Sequence, residues 1–308
     1  MKDTIYFKQA RLLLQALPLV TQEAVFALKG GTAINFFIRD LPRLSVDIDL
    51  TYLPVNERAI ALADIQEALL RIASGVKKQI SEVSITRKVN QESRTVAGLL
   101  IRHDEATIKI EPNLVIRGSV FPTEIRSLRR RAQEFFELSV DARTLSFDEL
   151  YGGKICAALD RQHPRDLFDI YVLLRSEGFS EGLRKAFIVY LISHDRPISE
   201  LLRPIWGDVR SIFEKEFQGI LVEPVTLSDL IDTAERLVSW LSTEMTEDER
   251  RFILSVKKGK PEWNLLGLPG IENLPAIKWK LYNIGRMKPA KHQGAVQKLV
   301  DCLGIKGE

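Results

Sequence analysis

Residues 45–53 alternate without a break, with Val46, Ile48 and Leu50 on one side and Asp47, Asp49 and Thr51 on the other. Side chains of an extended strand point to opposite faces in turn, so this spacing predicts a strand with one buried face. A helix would scatter the same apolar residues around its circumference. The alternation therefore commits this part of the chain to a sheet. It also sets two carboxylates side by side on the face away from the core.

Around that strand the first 145 residues read as alternating helix and strand. Residues 7–17 repeat apolar positions at helical spacing. Ala24 to Leu28 is a short apolar run stopped by Gly30-Gly31, as a buried strand would be. Thr32 to Ile38 reads as helical, and Asp40-Leu41-Pro42 as a turn. A helix is expected over 56–73, with strands near 83–87, 96–102 and 107–115. Beyond residue 145 the pattern turns helical. Ser146-Phe147-Asp148-Glu149 carries a capping-box signature. Helical periodicity then runs over 165–175, 181–193, 199–215, 228–243, 246–256, 276–284 and 294–303. The expected organisation is α+β: a domain of strands and helices over 1–145, then an all-helical domain over 146–308.

Composition narrows the function classes. At 45% hydrophobic and 28% charged, a chain of 308 residues can bury a core without staples. The only cysteines, Cys156 and Cys302, are far apart, which excludes a disulfide framework and points to a reducing compartment. No apolar run approaches the roughly 18 residues of a membrane span, and no secretory signal opens the chain. A cytoplasmic location is expected, with no membrane partner. Four histidines without metal-ligand spacing argue against zinc. Net charge is only +3, so any nucleic-acid contact must be local. Three basic clusters are candidates, each of which could equally be a solvated face: Arg126 with Arg129, Arg130 and Arg131; Lys257 with Lys258 and Lys260; and Lys278 with Lys280, Arg286, Lys288 and Lys291.

The chemistry-bearing residues sit at element ends. Gly30-Gly31-Thr32, between strand and helix, lets backbone approach a ligand and presents unpaired N–H groups to a phosphate; a tight turn explains the pair equally well. Asp47 and Asp49, two apart on a strand, can converge on magnesium, which takes oxygen ligands from carboxylates and phosphates. Glu111 lies opposite the apolar face of Ile108 and Ile110, and would supply a third carboxylate if its strand pairs beside that of Asp47. Gly152 and Gly153 inside a helix each cost about 1 kcal/mol relative to alanine. Such a cost is tolerated where another backbone or a ligand comes close. Lys154 would then reach a phosphate as a point charge. Pro164 suits a first helical turn, and Asp166 and Asp169 share a face three residues apart.

Taken together, Leu28-Lys29-Gly30-Gly31-Thr32, Arg43 through Leu50, Glu149 through Ala157 and Arg165 through Asp169 resemble the AbiEii/AbiGii toxin family of nucleotidyltransferases, in the polymerase-beta-like superfamily. Phe252 through Lys257 and Leu274 through Lys280 extend the likeness to about residues 24–290. The resemblance implies a mixed-sheet polymerase-beta-like nucleotidyltransferase domain and a helical C-terminal domain, with the nucleotide between them. It implies Asp47 and Asp49 on Mg2+ or Mn2+, and Gly30, Gly31 and Thr32 on a nucleoside triphosphate. Lys154 would contact phosphate and Asp166 would orient it. Ser45 matches a serine that partners modify in some relatives. Glu111 as a metal ligand is a placement from strand alternation, not from the family. The implied activity is that of a toxin in a toxin–antitoxin or abortive-infection system, an antiviral defence. It would transfer a nucleoside monophosphate to an RNA acceptor, the tRNA 3′ end foremost, and be countered by a cognate antitoxin. Modification of a protein hydroxyl would use the same residues; a non-catalytic relative that binds triphosphate or a partner would have no need of the clustered acids.

Overall fold

The computed structural model describes residues 4–305. The chain divides into two compact units: Met1–Leu150 with Gln218–Pro224, and Tyr151–Phe217 with Val225–Glu308.

The first unit is built on a seven-stranded mixed sheet. In chain order its strands are β1 Phe26–Lys29, β2 Asp47–Tyr52, β3 Ser84–Val89, β4 Val96–His103, β5 Ala106–Asn113, β6 Glu124–Ser127 and β7 Asp141–Thr144. Their spatial order is β3-β4-β5-β2-β1-β7-β6. β2 runs antiparallel to β1 and parallel to β5, which makes it central. Its Ile48 and Leu50 are buried, as are Ile108 and Ile110 of β5 and Leu99 and Ile101 of β4. Helices Ile5–Thr21 and Arg58–Gln79 pack on this sheet. The second buries Ala61, Leu62, Ile65, Ala68, Leu69, Ile72 and Val76, the three-and-four rhythm of an apolar helical stripe. It runs six residues past the expected end at Ala73. Gly75 does not break it, because the missing side chain leaves room for Leu19, and Lys77 and Lys78 in the last turn suit the helix dipole.

Strands β6 and β7 and the short helix Arg130–Phe136 fall where no element was expected. Each strand is four residues long and charged, Glu-Ile-Arg-Ser and Asp-Ala-Arg-Thr, so neither shows an apolar period. Tertiary contacts hold the segment: Phe136 stacks on Phe7 with ring centroids 5.1 Å apart, and Phe135 meets Phe7 edge-on at 5.2 Å.

The second unit is helical. Helix Phe147–Arg161 leads into it. Ser146 Oγ accepts from the Glu149 N–H at 3.2 Å, and the Glu149 carboxylate accepts from the N–H groups of Val120 and Phe121. Helices Pro164–Ser176 and Glu181–Ser193 follow. Leu227–Thr243 and Glu247–Lys257 each start with a full capping box, Thr226 with Asp229 and Thr246 with Glu249. Pro275–Gly285 and Pro289–Leu303 complete the set. The single helix expected over 199–215 is not formed. Helix Ile198–Leu202 ends at Arg203 (φ −127°, ψ 69°), where the following Pro204 disfavours helical backbone; Arg210–Ile212 and the π-helical Phe213–Phe217 come later. Residues 218–224 return to the first unit, where Leu44 N–H donates to the Ile220 carbonyl at 2.8 Å and Val222 N–H to that of Pro42 at 3.0 Å. Among the described residues no helix is long and apolar enough to cross a membrane. Neither cysteine is in a disulfide.

The two mid-helix glycines have a packing reason. A β-carbon on Gly152 would lie 2.7 Å from the Phe187 backbone nitrogen and 2.8 Å from the Ala186 β-carbon, so helix Glu181–Ser193 is what comes close. One on Gly153 would lie 3.0 Å from the Tyr190 ring. Alanine is the better helix former by about 1 kcal/mol, but overpacking where the neighbours are fixed costs about 1–3 kcal/mol. Gly152→Ala is therefore predicted to lower stability on chemical denaturation. An unchanged or raised midpoint would contradict the packing account.

Candidate active site

Strand β1 ends at Lys29 and is followed by Gly30, whose φ of +70° lies in the left-handed region that other residues rarely adopt. The chain then turns directly into helix, α-helical over Gly30–Thr32 and π-helical over Ala33–Ile38, a widened turn often found at functional sites. Lys29 is opposite Asp49 in the β1–β2 register, so the residue after it lies over the Asp49 side chain. A β-carbon on Gly30 would collide with the Asp49 carboxylate. One on Gly31 would lie 2.7 Å from the Arg43 guanidinium and 3.1 Å from Ser45 Oγ. The glycine pair is thus required by the approach of a carboxylate, a guanidinium and a hydroxyl to the backbone.

Thr32 fixes this turn to β2. Its hydroxyl is 2.6 Å from the Asp47 carbonyl oxygen and 2.9 Å from Ser45 Oγ, and both side chains are buried. Asn35 Nδ2 donates to the Gly31 carbonyl at 2.9 Å. With the hydroxyls engaged inside the protein, this turn offers a ligand its backbone N–H groups.

Asp47 and Asp49 alternate with buried Ile48 and Leu50 and share the opposite face, each half-buried. In the parallel register with β5, Asp47 is opposite Lys109 and Asp49 opposite Glu111. Like charges directly opposite destabilise a sheet. Here Lys88 reaches Glu111 at 2.7 Å and compensates one of them. Glu111 is therefore adjacent to Asp49 but held in an ion pair. Among the described residues no three acidic, histidine or cysteine side chains gather closely enough to hold a metal. The donor set on β2 is a pair of hard oxygen ligands. That suits Mg2+ or Mn2+, which bind through one or two carboxylates and leave the other positions to water and phosphate.

The second unit gathers four charges. Lys154 Nζ lies 2.8 Å from Asp166 Oδ1 and 3.0 Å from Asp169 Oδ2, and all three side chains are almost fully buried. Arg161 adds Nε to Asp166 Oδ2 at 2.6 Å and Nη2 to Oδ1 at 2.9 Å. Two cations thus meet two anions. Burial alone would raise the Asp166 carboxyl pKa, but Lys154 and Arg161 together outweigh it and hold that group well below the usual carboxylate range. His163 caps the helix that carries both aspartates: its Nδ1 accepts from the Arg165 N–H at 3.1 Å, with Pro164 at the first helical position. Burial pulls His163 below its ordinary value and keeps that acceptor available.

Three residues given no role from sequence take part in these clusters. Arg43 is 3% exposed and donates to the Leu44 carbonyl at 3.0 Å beside Gly31. Asp169 is the second anion on Lys154, and Arg161 is the fork on Asp166. The Asp166/Asp169 spacing was visible in sequence. Arg43 opens one of the segments that carry the family resemblance, but no sequence signal assigned a role to it or to Arg161.

A family described as nucleotidyl transferase AbiEii toxin, type IV TA system, matches residues 11–281. Among solved structures, MenT4, a nucleotidyltransferase toxin from Mycobacterium tuberculosis H37Rv, is similar in fold, with a TM-score of 0.59 at 15% identity over 91% of this chain and 92% of that one. No curated protein sequence matches the chain significantly.

Removing one member of a buried ion cluster strands its partner, at about 3–5 kcal/mol. Lys154→Met and Asp166→Asn should each lose that much at neutral pH on chemical denaturation. Because the folded Asp166 pKa is lowered, its contribution is present above the ordinary aspartate value of about 3.9 and is lost as pH falls through the folded value. The stability gap between wild type and Asp166→Asn should therefore stay constant from pH 8 to about 5 and narrow in stronger acid. A gap that widened towards acid would contradict the assignment.

Proposed function

The chain belongs to the AbiEii nucleotidyltransferase toxin family of type IV toxin–antitoxin systems, and from that membership we propose that it transfers a nucleoside monophosphate from a nucleoside triphosphate to an RNA acceptor, the tRNA 3′ end foremost. Blocking the end that receives an amino acid would stop translation, and a cognate antitoxin would hold the enzyme in check. The observation that carries the reading is Asp47 and Asp49 on one face of β2, with the Asp49 carboxylate against Gly30 at the start of a helical segment.

Asp47 and Asp49 would hold Mg2+, which when bound neutralises triphosphate charge and acidifies the attacking hydroxyl. The backbone N–H groups of Gly30 and Gly31 stand at a helix N-terminus, where phosphate oxygens are favoured. Thr32 and Ser45 keep that turn in place on β2 through their hydroxyl contacts. Lys154 is the candidate phosphate-binding cation of the second unit, and Asp166 and Asp169 fix its ammonium group. In the transfer, the acceptor hydroxyl oxygen bonds to the α-phosphorus and the bond to the β-phosphate bridge breaks. Pyrophosphate leaves, and the hydroxyl proton is released to water.

Incubation with each of the four labelled triphosphates, Mg2+ and either total tRNA or total protein tests the reading. Label should enter tRNA, and Asp47→Asn should lower the rate at least about a hundredfold, since a metal contributes several kcal/mol to the barrier. Label entering protein instead would overturn the acceptor. Full activity in a folded Asp47→Asn variant would overturn the site.

A further inference from the structure

Helix Pro275–Gly285 buries Ala276, Ile277 and Ile284 and turns two large aromatic side chains outward, Trp279 at 58% and Tyr282 at 52% exposure. Their rings are stacked, with centroids 5.6 Å apart and planes 20° from parallel. Arg286 extends the stack: its guanidinium carbon is 5.3 Å from the Tyr282 ring centre, and Nη1 donates to the Tyr282 hydroxyl at 2.8 Å. Spacings of three and four residues set all three on one stripe of the helix surface. Exposed apolar residues scattered singly are ordinary, but a contiguous aromatic patch marks a place where something binds.

The charged residues of this segment have one sign. From Leu274 to Val300 the sequence contains Lys278, Lys280, Arg286, Lys288, Lys291 and Lys298 and no aspartate or glutamate. Among the described residues none of the six forms an ion pair with a carboxylate. Helix Glu247–Lys257 brings a further cation to the end of this segment, beside Met287. Lys257 Nζ lies 3.9 Å from Met287 Sδ, and its carbonyl is 2.7 Å from His292 Nε2. Burial and the Lys291 ammonium pull Lys257 below the ordinary lysine value, and burial and Lys257 pull Lys280 down to about 8. Like charges are crowded here, and Asp195 offsets Lys280 only in part. Lys280 is spent on the carbonyls of His194 and Arg196, at 2.5 and 3.3 Å, whereas Lys278, Lys288 and Lys291 are exposed.

The other prominent basic cluster is different in kind. Arg126 pairs with Glu124 at 2.5 Å, Arg130 with Glu134 at 2.7 Å and Arg131 with Glu223 at 3.7 Å. The open cavity of about 490 Å³ that this cluster lines also contains Asp40. Its charge is largely cancelled, so the less compensated surface in the helical unit is the stronger anion site.

We propose that the Trp279–Tyr282–Arg286 face is a docking surface for single-stranded RNA, with an unpaired base stacking on Trp279 and the phosphates following Lys278, Lys288 and Lys291. The proposal rests on the RNA-acceptor reading and adds the surface that grips the acceptor. Every base has a flat π-face, and successive bases stack on aromatic side chains beside a basic groove whatever their sequence. Bases inside a duplex are already stacked, so a single strand is the better occupant. An acidic protein would be drawn by the same charges, but an RNA strand brings a flat π-face with every nucleotide and so matches the stacked rings more generally.

Fluorescence anisotropy with a labelled single-stranded RNA of about ten nucleotides tests this directly, with polyphosphate as an anion that has no bases. Trp279→Ala and Tyr282→Ala should each weaken RNA binding roughly 5- to 100-fold and leave polyphosphate binding unchanged. Trp279→Phe should recover most of the affinity. Lys288→Gln with Lys291→Gln should reduce the salt slope by about 0.7 for each phosphate that is no longer neutralised. Both aromatic side chains are more than half exposed, so the variants should melt with the wild type. Wild-type RNA affinity in a folded variant that combines Trp279→Ala with Tyr282→Ala, or equal weakening of RNA and polyphosphate binding by these aromatic changes, would overturn the proposal. Because binding is read without turnover, RNA labelling in that unimpaired variant would sink the surface alone. Binding that depends on Trp279 in an enzyme that labels no RNA would sink the acceptor reading alone.

Discussion

Burying Ile48 and Leu50 in the sheet leaves Asp47 and Asp49 no choice of side, and the rest of the first unit is arranged around that pair. A strand repeats every two residues, so the apolar pair and the acidic pair cannot exchange faces without a register slip that would expose the core. Central placement between β1 and β5 prevents such a slip. The register with β1 then sets Gly30 over the Asp49 carboxylate, and only glycine tolerates both the φ of +70° and the closeness. Thr32 and Ser45 close the arrangement from the other side through buried hydroxyls.

The second unit solves a different electrostatic problem. A lysine that is 6% exposed cannot be left without anions, and Asp166 and Asp169 supply two from one turn of a single helix. The extra negative charge is balanced by Arg161, which comes from the end of the helix that carries Lys154. Within the cluster two cations face two anions.

Local pattern made some of this legible in sequence and distance hid the rest. The β2 alternation, the glycine turn and the helices over 164–176, 181–193 and 227–257 all carry their signals within a few residues. The pairing of β2 with β5 was a conditional expectation, and the register of Asp49 with Glu111 gives it substance. The partner of Glu111 was not legible, because Lys88 lies on a strand two places away in the sheet. The reason for Gly152 was equally hidden, since its neighbour is some thirty-five residues further along the chain. Strands β6 and β7 carry no apolar period at all, so only their pairing reveals them. Pro204 was visible, but the periodicity around it outweighed the break it makes.

Family membership fixes the kind of enzyme, while the role of this particular acidic pair rests on geometry and donor chemistry. Direct measurement of Mn2+ binding by electron spin resonance, with a non-hydrolysable triphosphate analogue present, probes it without any turnover. The account predicts bound Mn2+ in the wild type and its loss when Asp47 and Asp49 are both changed to asparagine. Equally tight Mn2+ binding by that folded double variant would contradict it.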